Sequence, residues 1–152
     1  ILREGHTNER VELLLKELHM ELKKAEKMAY TESNNQLFSQ NEDYMIQYFD
    51  MRQQQVKVLA EMSIDLSVCS LPTKQNMILA RLFHQTANQL HEGNPVVDIT
   101  KDIQSMLNDF RNSDLPSTRE EFENRAALFI LLNDFTRFIQ IKKEFFEQQK
   151  ND

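Results

Sequence analysis

The stretch from Ser117 to about Phe146 carries the densest apolar content of the chain and reads as one long helix. Ser117-Thr118-Arg119-Glu120 has the spacing of a capping box, with Ser117 as N-cap and Glu120 reaching back to it. Pro116 disfavours helical geometry at Leu115 and so marks the start. Phe122, Ala126, Phe129, Asn133 and Thr136 form one stripe, and Leu128, Leu131, Phe135, Phe138 and Phe145 form another. Ala126 to Leu132 is seven apolar residues in succession, which leaves the middle of the helix apolar nearly all round. A helix of that kind is expected inside a bundle, with neighbours on several sides. On this reading Phe129→Ala costs about 3–5 kcal/mol.

The other helices show one-sided seams. The first is expected to begin after Thr7 as N-cap, with Val11, Leu15, Leu18, Leu22, Ala25 and Ala29 alternating by four and three. Leu14 and Met28 widen that seam; Leu37 and Phe38, beyond the polar end of the helix, are placed to plug the bundle. Asn41 is the expected cap of a second helix whose seam reads Met45, Phe49, Arg52, Val56, Leu59, Ser63 and Leu66. Leu71-Pro72-Thr73 starts a third, with Leu79, Leu82, Phe83, Thr86 and Leu90 on one face, and Gly93-Asn94-Pro95 stops it. Ile99, Ile103, Met106 and Phe110 mark a shorter fourth, followed by a turn over Asn112 to Pro116. The fold expected is all-α: a single five-helix bundle over residues 1–152 with a long central C-terminal helix. Two glycines and three prolines in 152 residues leave little material for hairpins, which supports the same reading.

Arg52 is the anomaly, because a guanidinium falls where the period demands an apolar side chain. Three readings fit it. It snorkels to the edge with its stem packed, it pairs across the interface with Glu123 or Asp134, or it contacts a ligand. Asn133, inside an apolar stripe, is a second polar position, where one buried amide can fix register against a neighbour. Arg119 with Glu123, and Glu121 with Arg125, stand four apart and suit surface pairs. Arg52, Glu123, Asp134 and Asn133 together are the polar cluster expected to matter most.

Chemistry finds little support. None of His6, His19, His84 or His91 follows a Glu by three residues, so the Glu-x-x-His pairs of di-iron bundles are absent. His84 and His91 lie two helical turns apart, about 10 Å, too far to share an ion. Cys69 has no Cys-x-x-Cys partner and reads as a small packing residue. Two isolated glycines cannot make a phosphate loop, and the seven methionines read mainly as core filling. No catalytic, cofactor-binding or metal-ligating residue is assigned, and the chain is not expected to be an enzyme. A net charge of −6 argues against nucleic acid and anionic lipid as partners. The longest apolar run falls short of the ~20 residues that span a bilayer, so no direct insertion by this segment is expected.

Two stretches carry a resemblance. They are Tyr48-Phe49-Asp50-Met51-Arg52-Gln53-Gln54-Gln55, and Leu115 to Ala126 followed by Leu128-Phe129 and Leu132-Asn133-Asp134. They resemble the C-terminal domain of the putative aromatic acid exporter family of Gram-positive bacteria, over nearly the whole chain. The resemblance implies an upstream transmembrane domain as partner and a place on the cytoplasmic face of the membrane. The start at Ile1-Leu2-Arg3, without an initiator methionine, suggests either processing or a domain cut from a longer protein, and the resemblance accounts for the second. The resemblance brings no catalytic residues. The function expected is therefore a non-catalytic accessory domain of an exporter, serving assembly or regulation, with a homo-oligomer through Leu2 and the first helix as the route to assembly. The alternative is a stand-alone ligand-sensing domain, in which Arg52, Arg119, Arg125 and Arg137 gather around an aromatic carboxylate.

Overall fold

The computed structural model describes residues 8–33, 39–69, 73–91, 93–94 and 96–150. They form five helices and no strand among the described residues: α1 (Asn8–Ser33), α2 (Ser39–Val68), α3 (Lys74–Gln89), α4 (Val97–Asn112) and α5 (Arg119–Gln148). Thr7, Leu37, Phe38, Leu71, Pro72 and Pro95, expected to cap, plug and break, and Leu2, expected to help assembly, lie outside the described residues.

The core is built where α2, α3, α4 and α5 meet. Val58 and Met62 of α2 join Leu79 and Leu82, then Ile99, Ile103, Met106 and Phe110, around Leu128, Leu131, Leu132, Phe135, Phe138 and Ile139 of α5. Every buried position expected on α4 is there, and so is the second stripe of α5. α5 packs along α2, α4 and α3. The α2–α5 pair is antiparallel: Gln149 donates to Gln47 at one end, and Gln55 meets Phe138 nearer the middle.

The first stripe of α5 turns the other way. Phe122 is 62% exposed and Phe129 37%, with Ala126 and Asn133 also exposed. Three neighbours occupy one side of α5, and nothing among the described elements covers the outer side. The expectation of a helix enclosed all round is therefore corrected. Apolar residues at every position of a window say that a helix can be enclosed, and only the number of neighbours decides whether it is.

α2 is the opposite case. Its expected seam holds Phe49 and Ser63 buried and Val56, Leu59 and Leu66 half-buried, although Met45 is exposed. A second face, Met51, Gln55, Val58 and Met62, is buried as well, because α2 lies between α1 on one side and α5 on the other. Asn41 is no cap, since the helix already begins at Ser39.

Capping is displaced by one residue on α5. Thr118 is the N-cap and its hydroxyl accepts from the Glu121 N–H at 3.1 Å, while the Glu121 carboxylate accepts from the Ser117 N–H at 2.9 Å. Ser117-x-x-Glu120 and Thr118-x-x-Glu121 overlap, and spacing alone cannot choose between them. α3 is capped by Thr73, accepting from the Asn76 N–H. The turn into α4 is tightened by Val96, which is fully buried at φ 55°, a strained region for a β-branched residue. Its N–H donates to the Asn94 side-chain oxygen and its carbonyl accepts from the Thr100 hydroxyl.

Methionine does less core filling than expected. Met51, Met62 and Met106 are buried, whereas Met20, Met28, Met45 and Met77 are exposed.

Candidate functional site

The chain's most concentrated polar and aromatic chemistry lies on the α2–α5 seam. Gln55, nearly fully buried, donates through Nε2 to the Phe138 carbonyl at 3.0 Å and accepts from Arg52 Nη1 at 3.0 Å. Arg52 also donates through Nε to the Tyr48 hydroxyl at 3.1 Å, and its Cζ lies 5.1 Å from that ring's centroid. Tyr48 packs edge-on against Phe145 and Phe49 and stacks with Tyr44, which itself tilts against Phe145. Lys142 is buried on α5 between Phe138 and Phe145 in the sequence. The arrangement fixes one guanidinium among aromatic rings by hydrogen bonds within α2.

The four residues expected to cluster do not. Arg52 meets neither Glu123 nor Asp134. Its head is half-buried against Tyr48 and Gln55, because residues four before and three after lie on its own side of the helix. Glu123 stands exposed at the start of α5, paired with Arg119 at 2.8 Å. Asn133 is exposed and donates to the Phe129 carbonyl in its own helix. The register-setting amide exists elsewhere: buried Asn124 of α5 donates to buried Asn76 of α3 at 3.3 Å. The expected Glu121–Arg125 pair is present at 3.5 Å.

Asp134 belongs to a second cluster. Arg137 reaches it at 3.3 Å and also pairs with Glu61 of α2. Burial pushes the Asp134 carboxyl above its ordinary range, and a hydrogen bond to Asp65 together with that residue's charge pushes it the same way. Cys69, one turn beyond, donates to the Asp65 carbonyl at 3.6 Å. Burial, and then the charge of Asp65, lift its thiol to about 11, so it is held as the uncharged packing group the sequence suggests.

The four arginines of the ligand-sensing reading are dispersed. Arg119 and Arg125 pair within the first turns of α5 and Arg137 pairs with Glu61 and Asp134. Arg119 and Arg137 are about 27 Å apart along one helix. His84 and His91 are exposed, and no group of His, Cys, Asp and Glu suited to a metal ion occurs among the described residues. A cleft of about 240 Å³ opens between α3 and α4, with Arg81, Asp102 and Asp109 among the residues that line it.

Gln55 and Lys142 escaped the sequence reading. Both stand on helical spacings with buried residues: Gln55 follows Met51 by four, and Lys142 follows Phe138 by four. Period was the available signal, and polar residue type masked it.

No helix of the described residues is long and apolar enough to cross a membrane. A crystal structure of a putative membrane protein from Clostridium difficile 630 has the same fold, with a TM-score of 0.75, 23% identity, and coverage of 88% of this chain and 78% of that one. The uncharacterized protein YqjA of Bacillus subtilis (strain 168) is 31% identical over 129 residues, 85% of this chain. The chain spans 40% of that relative's length. Matched over residues 1–143, this chain belongs to the family described as the putative aromatic acid exporter C-terminal domain.

Proposed function

We propose that the chain is a non-catalytic accessory domain of a membrane transporter for aromatic acids, placed on the cytoplasmic face and serving assembly or regulation. The observation that carries this reading is family membership over nearly the whole chain. The net charge of −6 supports the placement, since a negative domain is repelled by the anionic inner leaflet and stands off it. The outward apolar stripes on α1 and α5 support a role through contacts. Deleting this segment from the full gene product, then measuring aromatic-acid efflux and oligomer size in the membrane, tests it. Altered efflux with an unchanged oligomer is the result for regulation, and a smaller oligomer is the result for assembly. No change in either overturns the accessory role.

One observation favours a second reading, in which the domain itself senses an aromatic acid. Arg52 sits against Tyr48, with Tyr44 and Phe145 alongside, and a guanidinium beside rings suits an aromatic carboxylate. Calorimetry with a panel of such acids decides it: binding tighter than ~100 μM that is lost in Arg52→Gln establishes sensing, and silence removes it.

A further inference from the structure

α1 carries two parallel strips. Val11, Leu15, Leu22 and Ala29 are half-buried, and α2 is the only described element that touches α1. Beside them Leu14, Leu18, Glu21, Ala25 and Met28 alternate by four and three, the spacing that gathers residues along one edge of a helix. All five are exposed, with Leu14 at 55%, Leu18 at 44% and Met28 at 57%. Three large apolar side chains and Ala25 left open along one edge over two heptads, interrupted only by Glu21, suit a helix that packs on a partner.

Charge identifies the partner. From Glu9 to Glu21, α1 holds Glu9, Glu12, Glu17 and Glu21 against Arg10 and Lys16; from Lys23 to Lys27 it holds Lys23, Lys24 and Lys27 against Glu26. Glu9 to Lys27 is acidic first and basic last, although the final turn holds Glu32 and no basic residue, and that stretch complements a copy of itself running the opposite way. Glu17 and Lys24, one heptad apart, flank the same edge of the open strip. We propose that the strip is a dimer seam, in which α1 packs antiparallel on α1 of a second copy of this chain about a two-fold axis near His19 and Met20. Leu18 then lies against Glu21 of the second copy, Leu14 against Ala25, and Glu17 beside Lys24, each contact occurring twice. A parallel pair sets Glu17 beside Leu22 and Lys24 beside Ala29 of the second copy, which leaves both charges without an opposite partner across the seam. Sliding the antiparallel pair by one heptad brings Lys24 against Lys24, so charge selects the register as well as the direction. Glu21 keeps the dimer weak, because its carboxylate must reach out of the seam to water.

The inference deepens the assembly half of the accessory reading but has its own test. Sedimentation equilibrium on the 152-residue chain is expected to show a dimer. Leu18→Glu should weaken it by ~10-fold or more and Glu21→Leu should tighten it, both at exposed positions where circular dichroism should show unchanged helix content. Cross-linking in a Cys69→Ala background fixes the geometry. Chains with Leu14→Cys mixed with chains with Ala25→Cys should form a disulfide, and neither should link to itself, because each lies ~16 Å along the axis from its own copy. A chain that stays monomeric to ~1 mM, a dimer indifferent to Leu18→Glu, or a link from Leu14→Cys to itself overturns the proposal. A dimer that forms as described while deletion of the segment leaves transport unchanged would remove the accessory role and leave the seam standing.

Discussion

Residue by residue, burial rather than residue type sets what a substitution does. Leu131 is fully buried and Phe129, two positions earlier on α5, is 37% exposed. Leu131→Ala is expected to cost about 2–5 kcal/mol, whereas Phe129→Ala should cost less, about 1–2 kcal/mol, since over a third of its surface stays in water on folding and its truncation leaves no closed cavity. Urea denaturation of the two variants checks the order, and a Phe129 cost equal to that of Leu131 would place a neighbour over the outer stripe. Asp134 gives the pH prediction. Its carboxyl is raised in the fold by burial and by Asp65, so the folded chain holds a proton that the unfolded chain releases near pH 4. The stability tied to that proton is therefore complete below the ordinary carboxylate range and is lost as pH rises through the raised value. Asp134→Asn should gain on the wild type across that rise and show no advantage below it. Denaturation midpoints of both chains over the pH series measure it. An Asn variant less stable at neutral pH would mean that the Arg137 pairing outweighs the repulsion from Asp65.

At the scale of elements, the start of α5 separates two overlapping signals. Thr118 accepts from the Glu121 N–H, and Ser117 contributes only its backbone N–H to the Glu121 carboxylate. Thr118→Ala should cost about 1 kcal/mol, and Ser117→Ala should be close to neutral. Thermal unfolding of the pair settles which residue caps the helix, and a larger loss at Ser117 would move the start by one. The buried amide pair Asn124–Asn76 belongs to the same scale, because it ties α5 to α3, a pair of helices with few other contacts. A directional bond matters most where packing is sparse.

Across the whole molecule, packing is uneven. α2 through α5 share one core, while α1 leans on α2 alone and has no fully buried side chain among those described. Hydrogen exchange at concentrations where the chain is monomeric should therefore show α1 opening first, with α2 and α5 retaining the slowest amides. Equal protection of α1 and α5 would mean that the hairpin of α1 and α2 opens only with the core. The proposed seam predicts in addition that α1 gains protection as concentration rises, and α3 does not.

What the sequence determined by itself was local. Helix number, approximate limits, the buried faces of α3 and α4, the second stripe of α5 and the i to i+4 ion pairs are set by spacing along one chain segment, and spacing is readable without a structure. The family was legible too, in Tyr48 to Gln55 and Leu115 to Asp134. What only the tertiary structure decided was which faces meet. Phe122 and Phe129 have the pattern of a core and face outward, because α5 has neighbours on one side only. Gln55 and Lys142 are buried although they are polar, because α2 is covered on two faces and α5 presses along it. Arg52 took partners within its own helix, and Asn124 rather than Asn133 met an amide across an interface. Each depends on the direction from which a second helix arrives. Periodicity fixes angles about a helix axis but not the position of the neighbouring axis, and that position is set by the packing of all the faces at once.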